Sequence, residues 1–194
     1  MVTEKEENQG VRRVALFGGS FNPPHVVHQM ACLYTSEVGG VDEVWIMPCP
    51  DHPFGKVLAP FIHRVAMCSL AAQGLRGVSV STVEDELDGP TRTLDTVRFL
   101  KNRHPDVQFV LVVGADILNE TQKWYGWDEL MTLVELFVLG RTGWGGGDTE
   151  LDLPEVSSSL IRDRLRDGKP VDKLISKRVL NYIHENSLYV DDQE

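Results

Sequence analysis

The sequence contains no long run of apolar residues. The longest runs, at 109–113 and 136–139, are far too short to cross a lipid bilayer. Residues 1–10 are polar and acidic, and they lack the basic and apolar regions of a signal peptide. We therefore expect a soluble, cytoplasmic protein with no membrane partner, in which residues 1–12 form a flexible tail.

Cysteine is also scarce. Cys32, Cys49 and Cys68 supply neither a paired disulfide framework nor a Cys-x-x-Cys metal motif. Cys49 and His52 could form half of a zinc site, but the sequence offers no second half. Reduced thiols in a cytoplasm are the expectation, and no residue is predicted to be a metal ligand.

Positive charge is in deficit. The chain has 19 Lys and Arg residues against 29 Asp and Glu residues, which gives a formal net charge of -10. This balance argues against a protein that binds nucleic acid, because no basic stripe offsets the acidic surface. Small anions are not excluded, since a few cationic groups that converge on one cleft are enough to bind phosphate.

The 194 residues, 42% of them hydrophobic, are enough to bury one core, and residues 13–190 are predicted to form a single domain. Apolar and amphipathic stretches alternate, which predicts an α/β fold with a doubly wound parallel sheet, a Rossmann-like fold. Proline and glycine predict loops at 49–60 and 142–154, and the acidic residues at 84–86 and 88 predict a solvated loop. Strands are predicted at 14–17, 43–47, 78–80, 109–113 and 136–139, and helices at 25–38, 61–72, 94–103, 128–133, 160–166 and 177–185.

The region after the first predicted strand has the features of a phosphate site. Gly18 and Gly19 allow a tight turn with bare backbone N–H groups, and Pro24 suits the first position of a helix. A helix N-terminus favours anions, and this one lies at the edge of the sheet where ligands bind in such folds. His25 and His28, three positions apart, share one helix face beside it. The alternative is an ordinary strand, turn and helix with histidines on the surface.

A second helix start follows near the end of the predicted domain. Serines at 157–159 suit a helix N-cap, and Arg162 lies one turn further along the same face. An ordinary capped helix is the alternative for this segment. Together with the glycine turn, the segment favours a second group of phosphate contacts.

These two segments carry a family resemblance. Residues 18–28, Gly-Gly-Ser-Phe-Asn-Pro-Pro-His-Val-Val-His, resemble the signature of nucleotidyltransferases with a His-x-Gly-His motif, particularly the bacterial nicotinate-nucleotide adenylyltransferases. Val27 stands where that motif has its glycine. Residues 156–162, Val-Ser-Ser-Ser-Leu-Ile-Arg, resemble the Ile-Ser-Ser-Thr-x-Ile-Arg motif that holds the triphosphate in the same superfamily.

The resemblance extends between these motifs and implies roles for particular residues. Lys56 matches the lysine of a loop in the family, although Gly55 stands where a histidine is often found. Thr93 matches the family segment beside the mononucleotide, although Arg92 stands where a tyrosine is common. The implied catalytic residues are His25, His28, Lys56 and Arg162. The implied ATP-binding residues are Gly18, Gly19, Ser20, Phe21, His25, His28, Asp116, Ser158, Ser159 and Arg162. The implied mononucleotide-binding residues are Thr93, Trp124 and Arg141, with Trp124 over the pyridine ring unless it only fills the core.

The activity implied is adenylyl transfer in NAD biosynthesis. AMP passes from ATP, with Mg as cofactor, to nicotinic acid mononucleotide, and the products are nicotinic acid adenine dinucleotide and pyrophosphate. Two alternatives remain open. In the first, the acceptor is nicotinamide mononucleotide or another phosphorylated small molecule. In the second, the chain is a nucleotide-binding regulator without activity, an interpretation supported by Val27 and Gly55. A homo-oligomer is compatible with all of these.

Overall fold

Five parallel strands form one sheet at the centre of the protein. The computed structural model describes residues 10–51, 57–87, 92–140 and 153–190. The strands lie in the order β3-β2-β1-β4-β5, and every neighbouring pair is parallel. This confirms the predicted doubly wound sheet. The strands are β1 (Arg13–Gly19), β2 (Glu43–Pro48), β3 (Val78–Val80), β4 (Gln108–Gly114) and β5 (Glu135–Leu139).

Within the described residues six α-helices accompany the sheet, and each begins within two residues of its predicted start. Two 3-10 helices, Val83–Glu86 and Ala115–Lys123, were not predicted, because 3-10 segments have no α-helical apolar period. The α-helices are α1 (Val26–Val38), α2 (Phe61–Ala72), α3 (Thr93–Arg103), α4 (Trp127–Leu133), α5 (Ser158–Arg166) and α6 (Lys177–Glu185).

Both faces of the sheet are buried. Successive side chains of a strand point to opposite sides, so that one strand contributes to the packing on both faces. Val14 and Leu16 of β1 pack in one apolar cluster with residues of α3 and α4. Ala15, between them, packs on the other face with residues of α1 and α2. A third cluster joins α2 to α5 and α6, with Ile161 and Ile183 buried in it. The last two helices are thereby held against α2.

The carboxyl ends of the strands meet at one edge of the sheet. Gly19 of β1 is paired with Pro48 of β2, and Gly114 of β4 is paired with Leu139 of β5. The loops that leave these positions lie next to one another, as expected for a ligand site in a doubly wound sheet.

Four predicted segments fall partly outside the described residues, namely positions 1–9 of the expected tail, 52–56 of the first loop, 88 of the acidic loop and 142–152 of the second glycine- and proline-rich loop. Within the parts of the chain that the structure covers, no helix is long and apolar enough to cross a membrane.

Candidate active site

The turn after β1 is built from small side chains and one strained residue. A Cβ atom on Gly19 would lie 3.2 Å from the ring of Phe21, so that a side chain at this position would crowd the ring. Phe21 is 2% exposed and has a φ of 44°, a left-handed backbone conformation that is uncommon outside glycine. Burial of the Phe21 ring thus stabilises a left-handed backbone conformation that is unfavourable for this residue by itself.

The helix after the turn begins later than predicted. Pro24 is not its first residue, because α1 starts at Val26 and His25 is the N-cap with extended backbone angles. The backbone N–H of His25 donates to Nδ1 of His28 at 3.1 Å. This bond is the half of a capping box in which the side chain at N3 accepts from the backbone N–H of the N-cap residue, and it makes His25, rather than Pro24, the boundary of the helix.

The two histidine rings stack on each other. Their centroids are 3.7 Å apart with an interplanar angle of 28°, and the ring of Phe21 meets His28 edge-on at 4.9 Å. Because Nδ1 of His28 accepts a hydrogen bond, the hydrogen of the neutral ring is assigned to Nε2. His28 therefore presents an N–H donor beside the N-terminus of α1.

The serine and arginine segment reaches the same turn from α5. The helix starts at Ser158, and Ser157 is its cap, accepting a hydrogen bond from the N–H of Leu160 at 3.2 Å. Ser158 Oγ donates to the carbonyl of Pro23 at 2.8 Å, and the Arg162 guanidinium donates to the carbonyl of Asn22 at 2.7 Å. Both side chains thus hold the turn while facing the cavity beside it.

A cavity of about 530 Å³ opens above the turn, between α1 and α5. All ten residues predicted to bind ATP line it. Val27 also lines its wall, and the cavity remains open beside it. Asp116 enters from the end of β4, where a Cβ atom on Gly114 would lie 2.4 Å from its carboxylate. The space for that carboxylate therefore exists because residue 114 is a glycine.

A second cavity, of about 300 Å³, lies on the other side of the turn. Thr93 and Trp124, both predicted to contact the mononucleotide, line it together with Cys49. Trp124 also packs against the core cluster and meets Trp127 edge-on at 5.6 Å, so that its ring is held in place. The two cavities share residues 17–20, where β1 ends and the turn begins, and also Gly114 and Ile117.

Glu84 corrects the prediction of a solvated acidic loop. The residue belongs to a 3-10 helix, is only 8% exposed and lines the second cavity. Its Oε1 accepts a hydrogen bond from the buried hydroxyl of Thr96 at 3.4 Å. Glu86 faces outward to Arg103, at 2.8 Å. These two side chains, only two positions apart in a short helix, point in different directions, and a run of acidic residues gives no sign of that difference.

Arg64 is a residue of the site that the sequence did not reveal. Its side chain is 1% exposed, although it carries a charge. The guanidinium donates to four backbone carbonyls: Ser20 at 3.0 Å, Cys49 at 2.6 Å, Pro50 at 2.6 Å and Ala59 at 2.9 Å. It thereby ties the turn after β1 to the segment after β2. The available signal was a lone arginine within the apolar sequence of α2.

The other predicted site residues and the possible metal ligands remain to be located. Lys56 and Arg141 lie outside the described residues, as does His52 of the suggested zinc pair. Burial raises the pKa of the Cys49 thiol, and the nearby Arg64 opposes this rise. In the described ranges, no three His, Cys, Asp or Glu side chains are grouped so that they could hold a metal ion.

A parallel sheet whose first turn and helix start adjoin two cavities defines a nucleotide-binding α/β protein. The family model described as cytidylyltransferase-like matches residues 16–164, and the chain belongs to that family. Within it, the chain is similar over nearly its whole length to nicotinate-nucleotide adenylyltransferases. The Bacillus subtilis enzyme of that name is 37% identical over 187 residues, covering 92% of this chain and 99% of that protein.

Other relatives agree with this assignment. The protein of Anaeromyxobacter dehalogenans strain 2CP-1 named "Probable nicotinate-nucleotide adenylyltransferase" is 49% identical over 183 residues, covering 93% of this chain and 98% of that protein. Among solved structures, the Plasmodium falciparum nicotinic acid mononucleotide adenylyltransferase complexed with NaAD matches with a TM-score of 0.79. It is 20% identical, and the match covers 92% of this chain and 97% of that one, which supports the fold.

Proposed function

We propose that this protein transfers AMP from ATP to nicotinic acid mononucleotide, forming nicotinic acid adenine dinucleotide and pyrophosphate. The observation that carries the proposal is the pair of cavities that share the turn at residues 17–20. One cavity takes ATP and the other takes the mononucleotide, and the two reacting phosphates meet over the shared turn. The names of the curated relatives support the same reaction.

The chemistry needs alignment more than acid–base catalysis. The attacking oxygen of the mononucleotide phosphate is already anionic, so that neither a strong base nor a covalent intermediate is required. The Nε2–H of His28 and the positive end of α1 stabilise negative charge that develops on the α-phosphate of ATP. Arg162 lines the same cavity and balances the charge of the departing pyrophosphate, with Lys56 proposed for the same task.

Mg²⁺ is proposed as the cofactor that arrives with ATP. Mg²⁺ typically keeps several waters and binds through one or two carboxylates and the phosphates of its substrate. Asp116 supplies one carboxylate to the ATP cavity, which fits this mode of binding better than a dedicated protein cage. When bound, the ion would neutralise phosphate charge.

The second cavity suits a flat ring joined to a sugar. Its wall is largely apolar, and the edge-packed Trp124 offers a ring face for stacking. We propose that Glu84 accepts hydrogen bonds from hydroxyl groups of the acceptor. The negative charge of Glu84 disfavours a carboxylate on the acceptor ring in the same cavity. This observation favours nicotinamide mononucleotide, which lacks that carboxylate, as the alternative acceptor. Arg141 is proposed to offset the charge of Glu84 for the nicotinate carboxylate.

Pyrophosphate release separates these candidates. The wild-type protein is incubated with ATP and Mg²⁺ and, in parallel, with nicotinic acid mononucleotide, nicotinamide mononucleotide or phosphopantetheine. We expect the highest kcat/KM with the nicotinate. A higher kcat/KM with nicotinamide mononucleotide would make that molecule the acceptor. If none of the three gives pyrophosphate release, the remaining candidate is the nucleotide-binding regulator.

Two wider properties are also proposals. A cytoplasmic location is proposed on the grounds that three cysteines supply no paired disulfide framework. Self-association into a homo-oligomer is to be tested by sedimentation of the full chain.

A further inference from the structure

Tyr189 follows α6 and reaches back to the turn after β1. Its hydroxyl donates to Oδ1 of Asn22 at 2.8 Å, across 167 positions of sequence. The helix that precedes it, α6, is anchored by Val179 and Ile183, which are buried against α2. A residue from the last described segment of the chain therefore touches the loop that carries the two histidines.

The chain adopts disfavoured backbone angles to make this contact. Within the described ranges, the non-glycine residues with positive φ are Phe21 at 44°, Ser187 at 48° and Tyr189 at 63°. Ser187 occupies the position after the C-cap of α6 where glycine is usual, and the N–H of Leu188 bonds to the carbonyl of Ile183 at 3.0 Å. Left-handed angles at ordinary residues persist where the surrounding structure imposes them, often at functional sites. In this protein the left-handed angles lie at Phe21, next to Asn22, and at Ser187 and Tyr189, so that they occur at both ends of the hydrogen bond between Tyr189 and Asn22.

Asn22 is the point at which several elements of the site meet. Its side chain is 2% exposed, and Oδ1 also accepts the N–H of Ala59 at 3.1 Å. Its backbone carbonyl accepts the Arg162 guanidinium at 2.7 Å. The contact with Tyr189 completes a junction of the turn, the segment before α2, α5 and the chain after α6.

The phenol is suited to donate rather than accept. Burial raises the pKa of Tyr189, while the nearby Arg162 and Arg64 act in the opposite direction. The hydroxyl therefore keeps its hydrogen at ordinary pH, and Asn22 Oδ1 has an acceptor's role towards it.

We propose that Tyr189 is a positioning residue for adenylyl transfer, which holds Asn22 and thereby fixes the loop that presents His25 and His28. The inference rests on the proposed function for its effect on turnover. Its effect on the loop itself is independent of which reaction the site performs.

Tyr189→Phe removes one hydroxyl and keeps the ring. Tyr182→Phe is the matched control, because it removes a hydroxyl of α6 that lies 2.9 Å from Nδ1 of His63, away from the turn. With nicotinic acid mononucleotide and ATP, we expect kcat of Tyr189→Phe to fall about tenfold, since misaligned groups lose rate steeply, with KM for ATP changing less than about twofold. The control should keep kcat within about twofold of wild type. Equal kcat values for the two folded variants would overturn the proposal.

Amide hydrogen exchange gives a readout that does not depend on activity. Exchange in peptides that cover residues 17–25 should become faster in Tyr189→Phe and stay unchanged in Tyr182→Phe. Unchanged exchange in both variants would overturn the positioning role, whatever the rates show. If the wild-type protein releases no pyrophosphate with any acceptor, the proposed function fails, and the exchange comparison still decides the role of Tyr189.

Discussion

Arg64→Met tests whether one buried cation holds the active-site loops together. The substitution keeps an unbranched side chain of similar length but removes every donor. The carbonyls of Ser20, Cys49, Pro50 and Ala59 then lose a charged partner in a site where the side chain is 1% exposed. The partners left behind are neutral carbonyls rather than a carboxylate, and a polar group that loses its hydrogen-bond partner in a buried environment is destabilising.

The magnitude follows from two opposing effects. Hydrogen bonds to charged groups contribute about 1.5–3 kcal/mol each, whereas removing the buried guanidinium also removes its desolvation penalty. Each carbonyl that loses its donor costs about 1–3 kcal/mol, and four such losses, reduced by the desolvation penalty that disappears with the guanidinium, give an expected net loss of about 3–5 kcal/mol. For a chain of this size the loss lowers Tm by about 10 °C. Turnover at low temperature should fall as well, because two loops of the site share the guanidinium.

Arg98→Met is the matched control. Arg98 also makes several hydrogen bonds, to Glu129, but its side chain is 46% exposed. Exposed ion pairs contribute little to stability, so that Tm should hardly change. Both variants are unfolded thermally and assayed for pyrophosphate release. If Arg64→Met loses no more stability than Arg98→Met, the reasoning about the buried cation is wrong.

Four further predictions concern single positions. His28→Ala should lower kcat by about a hundredfold, since it removes a positioned donor, and steady-state rates close to wild type would refute that role. Trp124→Ala should raise KM for the mononucleotide by about tenfold through lost stacking while leaving KM for ATP unchanged; equal effects on both substrates would contradict it. Cys49, whose pKa is raised by burial, should react slowly with iodoacetamide at pH 8, and nicotinic acid mononucleotide should slow it further by filling the second cavity, as followed by mass spectrometry. Ser187→Gly should raise stability by about 1 kcal/mol in thermal unfolding, because it relieves a left-handed backbone; a lower Tm would show that serine is not strained there.

The sequence predicted the elements of the sheet well because their signals are local. Buried strands such as β4 are near-continuous apolar runs, and helices such as α6 have regular apolar spacing. The glycine turn and its two histidines were also predicted, since their chemistry lies within eleven consecutive residues. The start of α1 was misplaced, because the rule for proline at a helix start competes with the cap that His25 and His28 form together.

The parts that could not be predicted depend on contacts between distant positions. Glu84 reads as one member of an acidic run, and only the path of a short 3-10 helix turns it into the second cavity. Arg64 reads as an ordinary helix residue, and its four acceptors lie on other segments of the chain. Tyr189 carries no local signal for a partner 167 positions away. Burial and long-range pairing decide these roles, and neither is written in a sequence pattern.

The contacts that hold the turn also determine when during synthesis the site becomes complete. The turn emerges early from the ribosome, whereas Ser158, Arg162 and Tyr189, which bond to its residues 22 and 23, are 135, 140 and 167 positions further along. A growing chain that ends before them has the histidines but not the groups that fix the loop beneath them. Binding competence should therefore arise only after residue 189 has been synthesised, and a ribosome-bound chain that ends before it should hold nucleotide weakly. Long-range closure of this kind also slows folding, because chain entropy is lost before the contacts form.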